Sequence, residues 1–393
     1  MCRFLRFVAT SLICLLVMAH PPLINAFETD QYDLPPEPLA DIGDEVSDHV
    51  QQSVQDAFDD LNVQIDRYES CFRSSADLNG KTCSNKDRAN SQLLYLRSDK
   101  ALTRAVYERL GKGMAPFSKI ENWMDNHKFQ VHPSRYKITL WKSLFLFWPV
   151  DSLSMSPTVK LYGYEFGTDK FGHIFQQGYT YYQIYADALA DGMTPLDGRQ
   201  KAIRWGSYME ETFYGTLLTG VYSNGDLFGN YVGMKFYEGL THDIKIGDRY
   251  RPAIVVLKDG KWAFNSRARL RLVLLRPFIS NHLNEALNPS IFTNTFGLRS
   301  LVRRRVANRS CQRWFTAYPD LSRASLDEES DSLTTWFGEE YGFKDSKHFI
   351  TIANTCFDES GVPKTHRLIA KNARAARALP TSSPLAALDV DDR

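Results

Sequence analysis

Val46, Val50, Val54, Phe58, Leu61 and Ile65 recur at steps of three and four along an otherwise polar stretch. That spacing is one face of an amphipathic helix and predicts a helix over about 40–68. A second helix is predicted from Ser91 to Gly111, with Gly111 and Gly113 as stop signals. Three more follow in close succession, over about 168–190, 200–218 and 223–237, with the turn-rich "DGMTPLDGR" between the first two. Next, "RPAIVVLKDGKWAF" sets β-branched residues beside Asp259-Gly260, a short-range hairpin signal. "RLRLVLLRPF" reads either as a further strand or as the start of a helix. The fold class is mainly α: a helical bundle core with a small β-hairpin insertion.

The pattern changes at both ends. Arg3 and Arg6 precede the apolar run "FVATSLICLLVMA", and "INA" ends at Ala26. This reads as a secretory signal peptide cleaved near Ala26, since His20, Pro21 and Pro22 interrupt the apolar run. The chain then divides into a signal segment 1–26, an N-terminal helical region 27–132, a core helical domain 133–245 carrying the candidate site, a C-terminal region 246–370 with the hairpin and helices, and a disordered tail 371–393. The apolar "ITLWKSLFLFWPV" is expected to be buried, and an exposed patch of that size would mark a membrane contact.

The charge balance is near neutral, with a formal net charge of +1, so no basic field points to nucleic acid. Cysteine usage agrees with export. Once Cys2 and Cys14 leave with the signal, Cys71, Cys83, Cys311 and Cys356 remain. Three pairings are open, and proximity in sequence favours Cys71–Cys83 and Cys311–Cys356.

The candidate chemistry lies in the three successive helices. In "TDKFGHIFQQGYTYY", Thr168 is expected to cap the first, and Asp169 and His173 are four apart on one face. Lys170 points about a quarter-turn away and reads as a solvated side chain. In "WGSYMEETFYGTLLTG", Glu211 is preferred to Glu210 for the inward position because Gly215 follows it by four. In "YSNGDLFGNYVGMKFY", Asp226 and Asn230 are four apart and flanked by Gly229 and Gly233. Facing helices that bring carboxylates and a histidine together can build a metal site. Asp169, His173, Glu211 and Asp226 are the candidate ligands, for zinc or manganese. Without metal, the same groups suit general acid–base chemistry, with Asn230 orienting a ligand.

The order "DKFGH", "ETFYG", "SNGDLFGNYVG" resembles the motif series of the VanZ-like helical proteins and the related YfiM-like lipoproteins. Asp169, Lys170, His173, Glu211, Asp226, Asn230 and Gly233 match it in order, over about 168–237. The resemblance implies a common helical site. Many members are integral membrane proteins, whereas this chain has no apolar span after the signal. Elsewhere, His282-x-x-Glu285 reads as a helix surface or cap, and Arg303–Arg305 as a solvated face. The expectation is an exported, envelope-associated hydrolase, metal-dependent or acid–base, acting on a lipid phosphate or cell-wall fragment. The alternative is a non-catalytic structural or lipid-binding envelope protein, its buried polar groups holding the helices in register. A membrane surface or lipid is the expected partner in either case.

Overall fold

In the computed structural model, residues 28–74, 86–113, 118–144 and 155–364 are described. The expected signal segment, Cys83, most of "SLFLFWPV" and the expected tail lie outside them. The chain is mainly α, with small antiparallel strand pairs.

Helix α1 (Gly43–Ser74) buries the apolar stripe read from the sequence, Val46 to Ile65. The single helix expected over 91–111 is two, α2 (Lys86–Leu96) and α3 (Asp99–Leu110). Ser98 makes the break: its side chain accepts from the Ala101 amide and caps the new helix. α4 (Lys119–Asn126) follows, with Ser118 and Glu121 forming a reciprocal capping box.

After the hairpin β1 (Thr158–Leu161) and β2 (Tyr164–Gly167), one helical run carries most of the candidate chemistry. It comprises α5 (Asp169–Gly172), a π-helical turn over His173–Gln177, and α6 (Gly178–Ala190). Thr168 starts it with helical backbone angles and no side-chain cap, contrary to expectation. α7 (Pro195–Glu211) begins inside the predicted turn, because Thr194 caps it and Pro195 suits its first position. A second π-helical turn, Phe213–Thr219, ends at Gly220 with φ 76°. Strand β3 (Val221–Ser223) then leads into α8 (Asn224–Thr241). α6 packs against both α7 and α8.

Two hairpins follow: β4 (Ile244–Ile246) with β5 (Arg249–Arg251), and β6 (Val255–Lys258) with β7 (Lys261–Phe264). The second turns at Asp259-Gly260, both with positive φ (51° and 77°), as the sequence signal requires. It lies on α1, where Asn62 mimics a neighbouring strand. Its side chain accepts from Trp262 N and donates to Trp262 O, both at 2.8 Å. The ambiguous "RLRLVLLRPF" forms the short helix α9 (Leu270–Val273) and a 3-10 turn.

A second, smaller apolar core lies under β8 (Ser290–Phe292), α10 (Leu298–Arg305), α11 (Cys311–Ala317), α12 (Arg323–Ser332), β9 (Phe349–Ile350) and α13 (Ile352–Cys356). β8 is the middle strand between β3 and β9. Cys311 and Cys356 are disulfide-bonded as expected, joining α11 to α13. Tyr32 reaches this core from the N-terminal arm, its hydroxyl donating to Ile350 O at 2.7 Å.

Candidate functional site

The site begins with the wide turn after α5. In it, the Gly178 amide donates to His173 O, one residue further back than in an α-helix. The turn therefore bulges towards α8 and α3. Glycines stand where it does. A Cβ on Gly233 would lie 2.1 Å from Ile174 O, and one on Gly229 would lie 2.8 Å from the His173 Cβ. The extra residue aims His173 at α8, where its Nδ1 lies 3.0 Å from Asn230 Oδ1 and its Nε2 3.3 Å from Asp226 Oδ1.

Lys170 is the centre of the cluster and is wholly buried. This corrects its reading as a solvated side chain. Its ammonium donates to Asp169 Oδ2, Asp226 Oδ1 and Glu285 Oε1, each at 2.6 Å. The three carboxylates come from α5, α8 and the 281–285 turn. Two of them are held from a further segment. Thr29 of the N-terminal arm donates to Asp169 Oδ1 at 2.6 Å. Ser223 caps α8 by accepting from the Asp226 amide at 3.1 Å and donates its hydroxyl to Glu285 Oε1 at 2.9 Å. Glu28 is buried nearby and can bring a carboxylate oxygen within 4.8 Å of Asp226 and Glu285.

The preference for Glu211 is also corrected. Glu210 is the inward residue, buried and accepting from the Ser223 amide at 2.9 Å. Glu211 lies half exposed and pairs with Lys344 at the surface. The reason is local: α7 ends at Glu211 and gives way to a π-helical turn, so Gly215 is not one α-turn beyond it. Gly215 instead abuts Glu210, whose Oε1 would lie 2.5 Å from a Cβ there.

Burial and mutual charge set the protonation states. Burial alone would lower the Lys170 pKa, but Asp169, Asp226, Glu285 and Glu28 overcome it and hold it well above the ordinary lysine value. Burial would raise Asp226, yet His173 and Lys170 keep it below the usual carboxylate value. Glu285 is pushed up to about 7 by burial and by Asp226 and Asp169, against the pull of Lys170. Glu210 is raised well above the carboxylate range, by burial first and then by Asp226.

Of the residues expected in the site, Asp169, His173, Asp226 and Asn230 meet and Glu211 does not. Asp169, His173 and Asp226 can bring one donor atom each within 4.8 Å of one another. Lys170, Glu210 and Glu285, read from the sequence as a solvated side chain, the outward one of two glutamates and part of a helix surface or cap, are buried and belong to the cluster, and Thr29, which no sequence signal marks, belongs to it as well. Charge balance was the available signal: acids gathered on buried faces need a cation, and Lys170 is adjacent to Asp169. Nothing periodic links Glu285 or Thr29 to the three helices. Comparison with protein-family models, curated proteins and solved structures gives no match.

Proposed function

We propose that the Lys170 cluster is a charge lock. In this reading the chain is an exported, envelope-associated protein that works as a non-catalytic structural or lipid-binding component. One observation carries the reading: a single buried ammonium spends its three donors on three carboxylates from separate segments, each at 2.6 Å. Such a lysine stays protonated, so it cannot ligate a metal. It also repels a divalent ion from Asp169 and Asp226, the carboxylates that zinc or manganese would need. The set does not suit a metal centre. His173 supports the same view, because both ring nitrogens face protein oxygens rather than open space. Polar groups that pair only in one alignment hold α5, α7 and α8 in register as a bundle.

A second reading, general acid–base catalysis, is favoured by one observation. The His173 side chain is 22% exposed, against 5% for Asp226 beside it, so part of it reaches solvent.

The test is Lys170→Met beside the triple variant Lys170→Met/Asp226→Asn/Glu285→Gln. A lock predicts that the single change costs about 3–5 kcal/mol in urea unfolding and that neutralising the partners restores part of it. A single change without cost overturns the lock. Elemental analysis of wild type and a folded His173→Ala variant separates the rival. Stoichiometric metal, or phosphoester turnover, present in the first and lost in the second would replace the lock with a reaction centre.

A further inference from the structure

One helical run covers the smaller core: α10, a π-helical turn over Val306–Ser310, and α11. Its inward side is Leu298, Val302, Val306, Cys311 and Trp314. Its outward side is basic. Between Glu285 and Asp320 the sequence holds six arginines and no acid, in a chain whose formal net charge is +1. Arg303, Arg304 and Arg309 are exposed, and Arg299 is half-buried. Arg299 Nε donates to Phe292 O at 2.8 Å, Arg303 Nη2 to Phe349 O at 3.3 Å and Arg309 Nη1 to Lys142 O at 3.2 Å. Each acceptor is a neutral backbone carbonyl. None of these guanidiniums, nor that of Arg304, forms an ion pair among the described residues, whereas Arg313 further along the run pairs with Asp33. The side chains are thus held in place with their charge uncompensated.

Lys364 joins this face from beyond α13, donating to Thr355 O at 3.0 Å. Asp358 near it has Oδ1 turned to the Ser360 and Val362 amides. Burial, and then Arg303 and Arg323, lower the Lys364 pKa, so these cations repel one another. An anionic partner relieves that repulsion. On the other flank of α10, Arg305 and Arg309 hold the carbonyls of Ser143 and Lys142. Trp141, next to Lys142, is 76% exposed. A bilayer suits both features, because phosphates meet guanidiniums and an indole sits at headgroup level. Adsorption of this kind needs no pocket, since each cation near an anionic surface contributes on its own.

We infer that the outward face of the α10–α11 run lies against an anionic lipid surface, with Arg303, Arg304 and Arg309 on the headgroup phosphates and Trp141 at the edge of the contact. The inference rests on the lipid-binding side of the reading above, names its surface and lipid class, and uses none of the Lys170 cluster.

The experiment uses the full mature chain. Vesicles of phosphatidylglycerol or of phosphatidylcholine are tested by co-sedimentation, and a single-stranded DNA oligonucleotide serves as a polyanion without a bilayer. Wild type is expected to sediment with phosphatidylglycerol alone and to be released as salt rises from about 0.1 M to about 0.5 M. Arg304→Gln/Arg309→Gln, both exposed, is expected to weaken that binding by about tenfold or more at unchanged melting temperature. Arg249→Gln/Arg271→Gln removes the same charge from the exposed surface of β5 and α9 and is expected to leave binding within about twofold. Trp141→Ser is expected to weaken vesicle binding several-fold. Absence of binding to phosphatidylglycerol, equal binding to phosphatidylcholine, or an equal loss in the two double variants overturns the inference. Binding of the oligonucleotide without vesicle binding also overturns it and gives the face to a nucleic acid. The charge lock stands or falls separately, on the unfolding of the Lys170 variants.

Discussion

Asp30 is buried in the N-terminal arm, with Oδ2 accepting from the Leu144 amide at 2.7 Å and Oδ1 without a partner among the described residues. Burial, reinforced by Asp33, pushes its carboxyl from 3.8 up to about 7. The folded state therefore holds this proton over a range in which the unfolded chain has lost it. The stability so gained is whole below 3.8, declines as pH rises from there, and is gone above about 7. An Asp30→Asn variant lacks that decline. Between about pH 4 and about pH 8 it should gain on wild type by up to roughly 4 kcal/mol in urea midpoints. Parallel pH profiles for the two proteins would refute this. At this scale the sequence was informative where spacing was: Asp169 and His173, and Asp226 and Asn230, are four apart and end in one cluster. It was uninformative between neighbours. Glu210 and Glu211 differ by one residue, and a π-helical turn just beyond them decides which faces inward.

Elements were legible where a stripe or a turn signal was strong. The α1 stripe is buried as its period implies, and Asp259-Gly260 turns the hairpin it predicts. The π-helical turns were not legible, because one inserted residue leaves no mark in composition. Their trace is in the glycines opposite. Gly233 of α8 and Gly178 of α6 touch so closely that a Cβ on Gly178 would lie 2.5 Å from the Gly233 Cα. Gly233→Ala would also press on Ile174 O in the bulged turn. It should cost about 1–3 kcal/mol through overpacking, read as a lower urea midpoint with unchanged slope. An unmoved midpoint would mean that the turn yields, and that these glycines do not define the crossing. The β4–β5 hairpin carried a weaker signal, since Gly247 sits beside Asp248 within a charged stretch rather than between β-branched runs.

Across the molecule, two apolar cores are built from the described residues. No helix among the described residues is long and apolar enough to cross a membrane. The smaller core carries a covalent link. The Cys311–Cys356 bond closes a loop with a sequence separation of 45, so its loss should cost about 4 kcal/mol by chain entropy. Cys311→Ser/Cys356→Ser should unfold at lower urea than wild type, and reduction should lower the wild-type midpoint at least as far. Equal midpoints for oxidised wild type and variant would show that packing alone suffices. Proximity in sequence made this pairing readable. The path of the N-terminal arm was not readable, because its partners lie far along the chain and share no period with it.

That path bears on how the protein comes to be folded. Thr29 meets Asp169 across 140 residues, Gln31 meets Glu285 across 254, and Tyr32 meets Ile350 across 318. Contacts of such separation form late, after the entropy of closing long loops has been met by the elements between them. In vectorial synthesis the arm emerges before all of these partners. Until Ile350 has been made and β9 laid beside β8, Tyr32 lacks its acceptor, and the arm stays open to whatever handles nascent chains.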